Sequence, residues 1–327
     1  MLDALKFVAG AVAKKDMVEA LTHFKIKDGF VQAFNGQISC ASRIDLGLDV
    51  MPWATDMVNA IQACNDTVAL SVTPTGRLAV RSGKFKCFVE CMDMKDDILQ
   101  MFPTPSGAFI EIGDEFITML RELEPFMAND ASRPWAMGVM LESNSAFATN
   151  NVMLAQYWHG IKFPCRVTIP AEAVKEINKR SDHVTGVQVD DNSLTVWFGR
   201  ERWMRTQLLP DAFPDQIHTI AERAGDEAPL PLEHFEGLFE GLETLKKFLG
   251  DNSGVYFLDG IISTTKDPEH GASVEVGNIP TGPLFNHKYL SLLKETAKAI
   301  DFSQYPRPGR FLGKNPRLRG VFMGMNQ

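Results

Sequence analysis

The stretch Cys165–Pro214, CRVTIPAEAVKEINKRSDHVTGVQVDDNSLTVWFGRERWMRTQLLPDAFP, decides how the chain is read. Cys165–Ile169 alternates as a short strand, and Pro170 stands where the first turn of a helix tolerates a residue without an N–H. Over Ala171–Arg180, Val174 and Ile177 share one side, while Lys175 and Lys179 lie a turn apart on another. Val184–Val189 alternates as a strand, Asp191-Asn192 turns the chain, and Ser193–Phe198 returns. Glu201–Leu209 follows Gly199 as a third strand. The order is strand, helix, antiparallel meander.

That order recurs on both sides. Upstream, a helix over Pro52–Cys64 precedes strands at Thr67–Val72, Arg77–Arg81 and Phe85–Met92, turned at Pro74-Thr75-Gly76 and Ser82-Gly83. Downstream, a helix over Asn286–Ile300 precedes strands near Phe302–Tyr305, Arg310–Leu312 and Arg317–Met323. The helix starts at 52, 170 and 286 are 118 and 116 residues apart, which predicts three structural repeats in the 327-residue chain.

The remaining segments fill in those repeats. Residues 2–15 predict a first helix with Leu5, Val8 and Val12 inward. Strands follow at Phe24–Ile26, Phe30–Phe34 and Ile38–Ala41, the last two joined by Asn35-Gly36, a pair that tolerates positive φ. Leu46–Val50 leads into the second helix, whose apolar stripe is Trp53, Met57 and Ile61. Met101–Gly107 is a linker, and Asp114 caps a helix with Phe116, Leu120, Leu123 and Met127 inward. Strands follow at Met137–Leu141, Ala146–Thr149 and Met153–Tyr157. A second linker, bracketed by Pro210, Pro214, Pro229 and Pro231, contains the polar Gly225-Asp226-Glu227. Leu238–Leu249 is a further helix, and Asp259-Gly260 turns a hairpin between Val255–Leu258 and Ile261–Thr264. Each repeat is two helices against antiparallel sheet, an α+β unit. The expected domains are 1–106, 107–222 and 223–327.

Composition narrows the function classes. Hydrophobic residues make up 45% and charged residues 23%, as in a folded soluble chain. No apolar run reaches the ~18–20 residues a membrane-spanning helix needs. Met1–Lys6 lacks the basic-then-apolar order of a signal peptide. The five cysteines (Cys40, Cys64, Cys87, Cys91, Cys165) are scattered and odd in number. Their expected state is buried free thiols in a reducing cytoplasm, since Cys87 and Cys91 have no second metal-ligating pair nearby. The net charge of −8 argues against a uniformly basic surface, yet leaves room for one basic face.

Catalytic constellations are missing from the sequence. There is no phosphate-binding glycine loop, no His-Glu-x-x-His and no Gly-x-Ser-x-Gly. The seven histidines stand singly, and Asp96-Asp97 and Asp190-Asp191 sit beside turns, where carboxylates satisfy backbone donors. No cofactor and no metal is expected. A binding or scaffold role suits such a chain better than catalysis, and the basic residues say where to look. Lys6, Lys14 and Lys15 lie on the first predicted helix, and Lys175, Lys179 and Arg180 on the fourth. Lys246 and Lys247 lie near the end of the fifth, and Lys294 and Lys298 on the sixth. The pairs 175/179 and 294/298 each hold one helix face; neighbouring Glu172, Glu176 and Glu295 equally fit an ordinary solvated face.

Four passages resemble the bacterial-type β sliding clamp, the processivity factor of DNA polymerase. Leu5–Lys15 resembles the family's first helix, and Arg133-Pro134 through Glu142, with Ala148-Thr149-Asn150 and Leu154-Ala155, its middle domain. Phe285–Leu290 resembles the entry into its last helix, and Val321–Gln327 its apolar tail. The family's Ala-Thr-Asp is Ala-Phe-Asn at 33–35 and Ala-Thr-Asn at 148–150, a divergence that suits a phage-encoded member. The resemblance implies three clamp domains per subunit and two subunits closed head-to-tail into a ring around duplex DNA. The lumen would be lined by the lysines above together with Arg180 and Arg133. It also implies partners, a DNA polymerase and a clamp loader, that dock short peptides between the middle and last domains. Carried onto this chain, that pocket is Ala136, Thr149, Val152, Leu154, Val321, Met323 and Met325. A cytoplasmic, non-enzymatic replication factor is expected. The alternatives are a divergent metal-dependent hydrolase or nuclease built on scattered Asp and His, and a structural oligomer without a DNA role.

Overall fold

The computed structural model describes residues 1–15, 17–222, 228–250 and 253–326. The polar linker residues 225–227 and the terminal Gln327 lie outside them. The chain divides into two compact units, Met1–Ile117 with Lys175–Leu208, and Thr118–Val174 with Leu209–Gln327.

The first unit is built on a seven-stranded antiparallel sheet. Its order is Lys25–Lys27, Phe30–Phe34, Ile38–Arg43, Arg202–Gln207, Ser193–Phe198, Val184–Asp190, Ala108–Glu111. The meander read from 184–209 is present, in register Val196↔Met204 and Val187↔Val196. The central pairing joins distant segments: Cys40 lies opposite Met204 and Ala41 opposite Trp203. One sheet therefore runs across the boundary expected at 106/107. A separate three-stranded sheet carries Ala69–Val72, Leu78–Ser82 and Phe85–Val89, as the upstream repeat predicts.

Helix Leu2–Ala9 buries Leu5, Phe7 and Val8 against this unit, with Phe7 edge-on to Phe198 at 5.5 Å. It ends at Ala9, not at residue 15, and Val12 is only half-buried. At Gly10 the chain passes so close to Glu176 that a Cβ would overlap its carboxylate. Lys14 and Lys15 consequently lie in a bend beyond the helix. In helix Ala54–Gln62, Met57 and Ile61 are buried as expected, whereas Trp53 precedes the helix and is 43% exposed.

The second unit is built on an eight-stranded antiparallel sheet. Its order is Val167–Pro170, Gly138–Glu142, Ser145–Thr149, Met153–Trp158, Leu318–Phe322, Gly309–Gly313, Ala297–Ile300, Leu230–Pro231. Here too the middle pairing is remote in sequence, with Leu154 opposite Val321. A four-stranded sheet lies in the order Ser273–Glu275, Ile261–Ser263, Gly254–Leu258, Leu284–Asn286. Phe235, Phe257, Phe285, Phe302 and Phe322 fill the core between these elements as edge-on and tilted rings 4.9 to 5.6 Å apart.

Four expectations fail in this unit. The last helix is His287–Thr296, capped by Asn286, whose side chain accepts from the Lys288 N–H at 2.9 Å. It stops at Thr296 because Ala297–Ile300 pairs with Gly309–Gly313, burying Ala297, Ala299 and Ile300. Lys298 is therefore on a strand, not on the helix face of Lys294. In place of a strand near 302–305 the chain makes a turn over residues 303–306, opened by the Asp301 carboxylate accepting from the Ser303 N–H at 2.8 Å. Helix Leu238–Leu245 is shorter than read, and Lys246 and Lys247 occupy the tighter turn Lys246–Phe248. Finally, the second linker contains a helix, Gln216–Glu222, with Ile217 buried.

The cysteines also differ from expectation. Only Cys40 is buried; Cys64, Cys87 and Cys91 are half-buried and Cys165 is exposed. Burial in the sheet pushes the Cys40 thiol pKa up to about 12.

Candidate functional site

The expected cationic residues divide between the two units. In the first, Lys6 and Lys175 are exposed on helices, Lys14 and Lys15 are exposed in the bend after Ala9, and Lys179 is exposed just past Asn178. Lys179 pairs with Glu176 at 3.0 Å, a side chain 70% exposed on one that is 11% exposed. Arg180 is different. Its side chain is only 10% exposed, meets Glu176 at 2.5 Å and lies 4.5 Å over the Phe7 ring. It is a packing residue of the first unit and does not present its charge to solvent.

In the second unit Lys246 and Lys247 are exposed, and Lys246 approaches Glu243 at 4.0 Å. Lys294 is half-buried on the last helix. Arg133 is exposed in the loop before the turn Pro134–Ala136 and donates to Asn151 at 2.7 Å. Lys298 is exposed on its strand, beside Arg310 and Arg319.

The expected peptide pocket lies within the second unit and is built on the central strand pair. Leu154 and Val321 face each other across it and share one apolar cluster with Met140, Phe147, Phe213 and Ile217. Trp135 and Ala221 pack against that cluster, Trp135 edge-on to Phe213 at 5.1 Å. Leu154 and Val321 are thus only 5% and 4% exposed, covered by helix Gln216–Glu222 and the residues leading into it. A polar set pins this cover: Arg166 reaches Asp215 at 2.7 Å and Glu142 at 3.4 Å, and the His218 ring nitrogen lies 3.4 Å from Glu142 while its ring is edge-on to Phe147.

The other expected pocket residues are only partly gathered there. Ala136 is fully buried, and the Thr149 hydroxyl is turned inward, donating to the Met153 carbonyl at 2.7 Å. Val152 and Met323 are joined at the rim by the Met323 N–H donating to the Val152 carbonyl at 2.9 Å, with Met323 45% exposed. Met325 turns elsewhere: its N–H donates to Leu284 at 2.7 Å and its carbonyl accepts from the Tyr305 hydroxyl at 2.9 Å. Sequence reading missed Trp135, Phe213 and Ile217. The signal was the four-residue spacing of Phe213 and Ile217, masked by the prolines around them. Among the described residues, no group of three or more His, Cys, Asp or Glu is placed to hold a metal ion, and no helix is long and apolar enough to cross a membrane.

No family model matches the sequence, and no curated protein does. Solved structures match it end to end. The DNA polymerase sliding clamp of Bacillus subtilis is 16% identical with a TM-score of 0.79, over 100% of this chain and 97% of that one. The DNA polymerase sliding clamp of Caulobacter crescentus is 18% identical with a TM-score of 0.78 over the same shares. The DNA polymerase III β subunit of Thermotoga maritima is 16% identical with a TM-score of 0.75, again over 100% and 97%. The chain has the fold of these clamps throughout.

Proposed function

We propose that this chain is a DNA sliding clamp, a non-enzymatic processivity factor that encircles duplex DNA and tethers a replicative polymerase. The observation that carries the reading is the likeness to clamp structures over the whole chain, at TM-scores of 0.75 to 0.79. On this reading residues 1–106, 107–222 and 223–327 are three clamp domains, and two copies close head-to-tail. A topological link needs no base contacts, only enough phosphate attraction to hold a register that slides. Exposed Lys6, Lys14, Lys15, Lys175, Lys179, Lys246 and Lys247 supply that attraction from helices, their ends and the bend after the first helix in a protein of net charge −8, with Arg133 and Lys294 contributing less. Arg180 and Lys298 leave the set on the geometry described above. Polymerase and clamp loader would dock short apolar peptides at the Leu154–Val321 cluster, entering beside Val152 and Met323. The protein would work in the cytoplasm of a bacterium or of a phage's host.

The test is retention. Protein assembled on nicked circular plasmid should stay with the DNA through gel filtration and leave it once the plasmid is cut, because an unblocked end lets a ring slide off. Equal retention on circular and linear plasmid would overturn the reading, as would a strictly monomeric protein at micromolar concentration.

A further inference from the structure

One face of the eight-stranded sheet changes character along its length. Near Leu154 and Val321 it is apolar and covered. Two residues further along both strands it becomes basic and open. Gln156 lies opposite Arg319 on the central pair, and Arg319 lies opposite Leu312 on the next strand. Because side chains alternate and paired residues share a face, Arg310 and Trp158 follow on that same side. Lys298 enters from the adjoining strand, where the pairing shifts between Ala297 and Ala299, and the Arg317 guanidinium lies over the Trp158 ring.

These side chains line a shallow groove of about 600 Å³. Trp158 is 55% exposed, an unusual cost for so large an apolar surface, and the Arg317 guanidinium stands 5.8 Å from its ring centre. Arg319 Nε donates to the side-chain amide oxygen of Gln156 at 2.8 Å, a neutral partner. Among the described residues no carboxylate forms an ion pair with Lys298, Arg310 or Arg319. Most other exposed cations of this acidic chain with a close polar partner have a carboxylate, as Arg43, Arg77, Arg166 and Lys179 do.

We propose that this groove binds single-stranded nucleic acid without sequence preference. Three of its four cations are arginine, whose planar guanidinium takes two phosphate oxygens at once and also stacks on bases. The exposed indole gives an unstacked base a platform, which a base inside a duplex cannot use. A basic channel combined with an aromatic platform is the arrangement that holds single strands. None of its residues belongs to the lumen set retained above, and a short linear strand cannot be retained by encirclement, so this inference stands or falls apart from the ring reading.

The probe is fluorescein-labelled dT12, titrated against full-length protein by anisotropy at several salt concentrations. With three or four phosphates neutralised, log K should fall against log salt with a slope of about −2 to −3. Trp158→Ala should weaken binding by about tenfold, in the range that loss of one stacked base gives, and Trp158→Phe should restore most of it. Arg310→Glu with Arg319→Glu should weaken binding more than tenfold, and each variant should melt within a few degrees of the parent, since Trp158 and Arg319 are exposed and the half-buried Arg310 has no carboxylate partner to lose. Retention on circular duplex should be unchanged in all of them. An affinity for dT12 that none of these variants alters would overturn the proposal, because binding would then lie elsewhere. Equal affinity for a 12-base-pair duplex would overturn the single-strand preference. Binding of hexaglutamate as tight as dT12, lost with the arginines and indifferent to Trp158, would make the groove a docking surface for an acidic protein instead.

Discussion

Glu176 is the residue whose loss the first unit should feel most, although the sequence presents it as one acid on a solvated helix. Its side chain is 11% exposed and meets Arg180, itself 10% exposed, at 2.5 Å. Arg180 has moved out of water onto the Phe7 ring, and it also lies against the Cys40 sulfur at 3.9 Å. Glu176→Gln keeps the shape and removes the charge that compensates the guanidinium. Breaking one side of a buried pair typically costs about 3–5 kcal/mol, because an uncompensated charge stays behind. Lys179 loses a partner as well, but its side chain is 70% exposed and adds little. The double variant Glu176→Gln with Arg180→Met removes both charges and should recover most of that loss. Urea unfolding followed by circular dichroism measures all three proteins and the Arg180→Met single variant as a cycle. A loss below about 1 kcal/mol for Glu176→Gln would refute the buried-pair argument. So would an Arg180→Met protein that unfolds like the parent yet fails to stay on circular DNA, since Arg180 would then be a DNA contact.

Three further outcomes are expected. Lys175→Glu, Lys179→Glu and Lys247→Glu together should release the protein from circular duplex at moderate salt while leaving its melting temperature within a few degrees, as exposed positions cost little stability. Met323→Asp should reduce polymerase stimulation at least tenfold with the dimer intact, because it sets a carboxylate where an apolar peptide must be desolvated; undiminished stimulation removes the Val152–Met323 rim from the docking site. With an aromatic disulfide reagent at pH 8, Cys165 should react at once and Cys40 only on unfolding. The Cys40 thiol has its folded pKa raised above the ordinary 9.0, so its contribution to stability is fully present below that pH and is lost as pH rises toward about 12. A melting temperature as high at pH 11 as at pH 8 in the parent, but not in Cys40→Ala, contradicts the sign.

Periodicity located most strands of the meanders because each buries one face, and a slip of one residue would turn every side chain around. It failed where two periods fit the same letters. Leu290, Leu293, Ala297 and Ile300 fall at helical spacing, while Ala297-Lys298-Ala299 also alternates. The strand won because residues 309–313 supply backbone partners, and local sequence does not display a partner. The error at Lys298 had the same root, and so did the failure to see its groove, which is assembled from four strands. The pocket followed a related course: Leu154 and Val321 were legible through resemblance, whereas their cover rests on Phe213 and Ile217, which sit in a proline-bracketed polar segment. Arg180 could not be separated from Lys175 and Lys179 by sequence, because only the path at Gly10 brings Phe7 and Glu176 around it.

The two sheets that cross the expected repeat boundaries set a timetable for synthesis. Strand Met153–Trp158 leaves the ribosome long before Leu318–Phe322, its neighbour; Leu154 must wait 167 residues for Val321. Cys40 waits 164 residues for Met204. At roughly 5–20 residues per second, each waiting strand spends about ten to thirty seconds with an open hydrogen-bonding edge. Such an edge invites pairing with a neighbouring nascent chain. The growing polypeptide is therefore most vulnerable during the middle third of translation, and crowded polysomes, not heat, should be where this protein is lost.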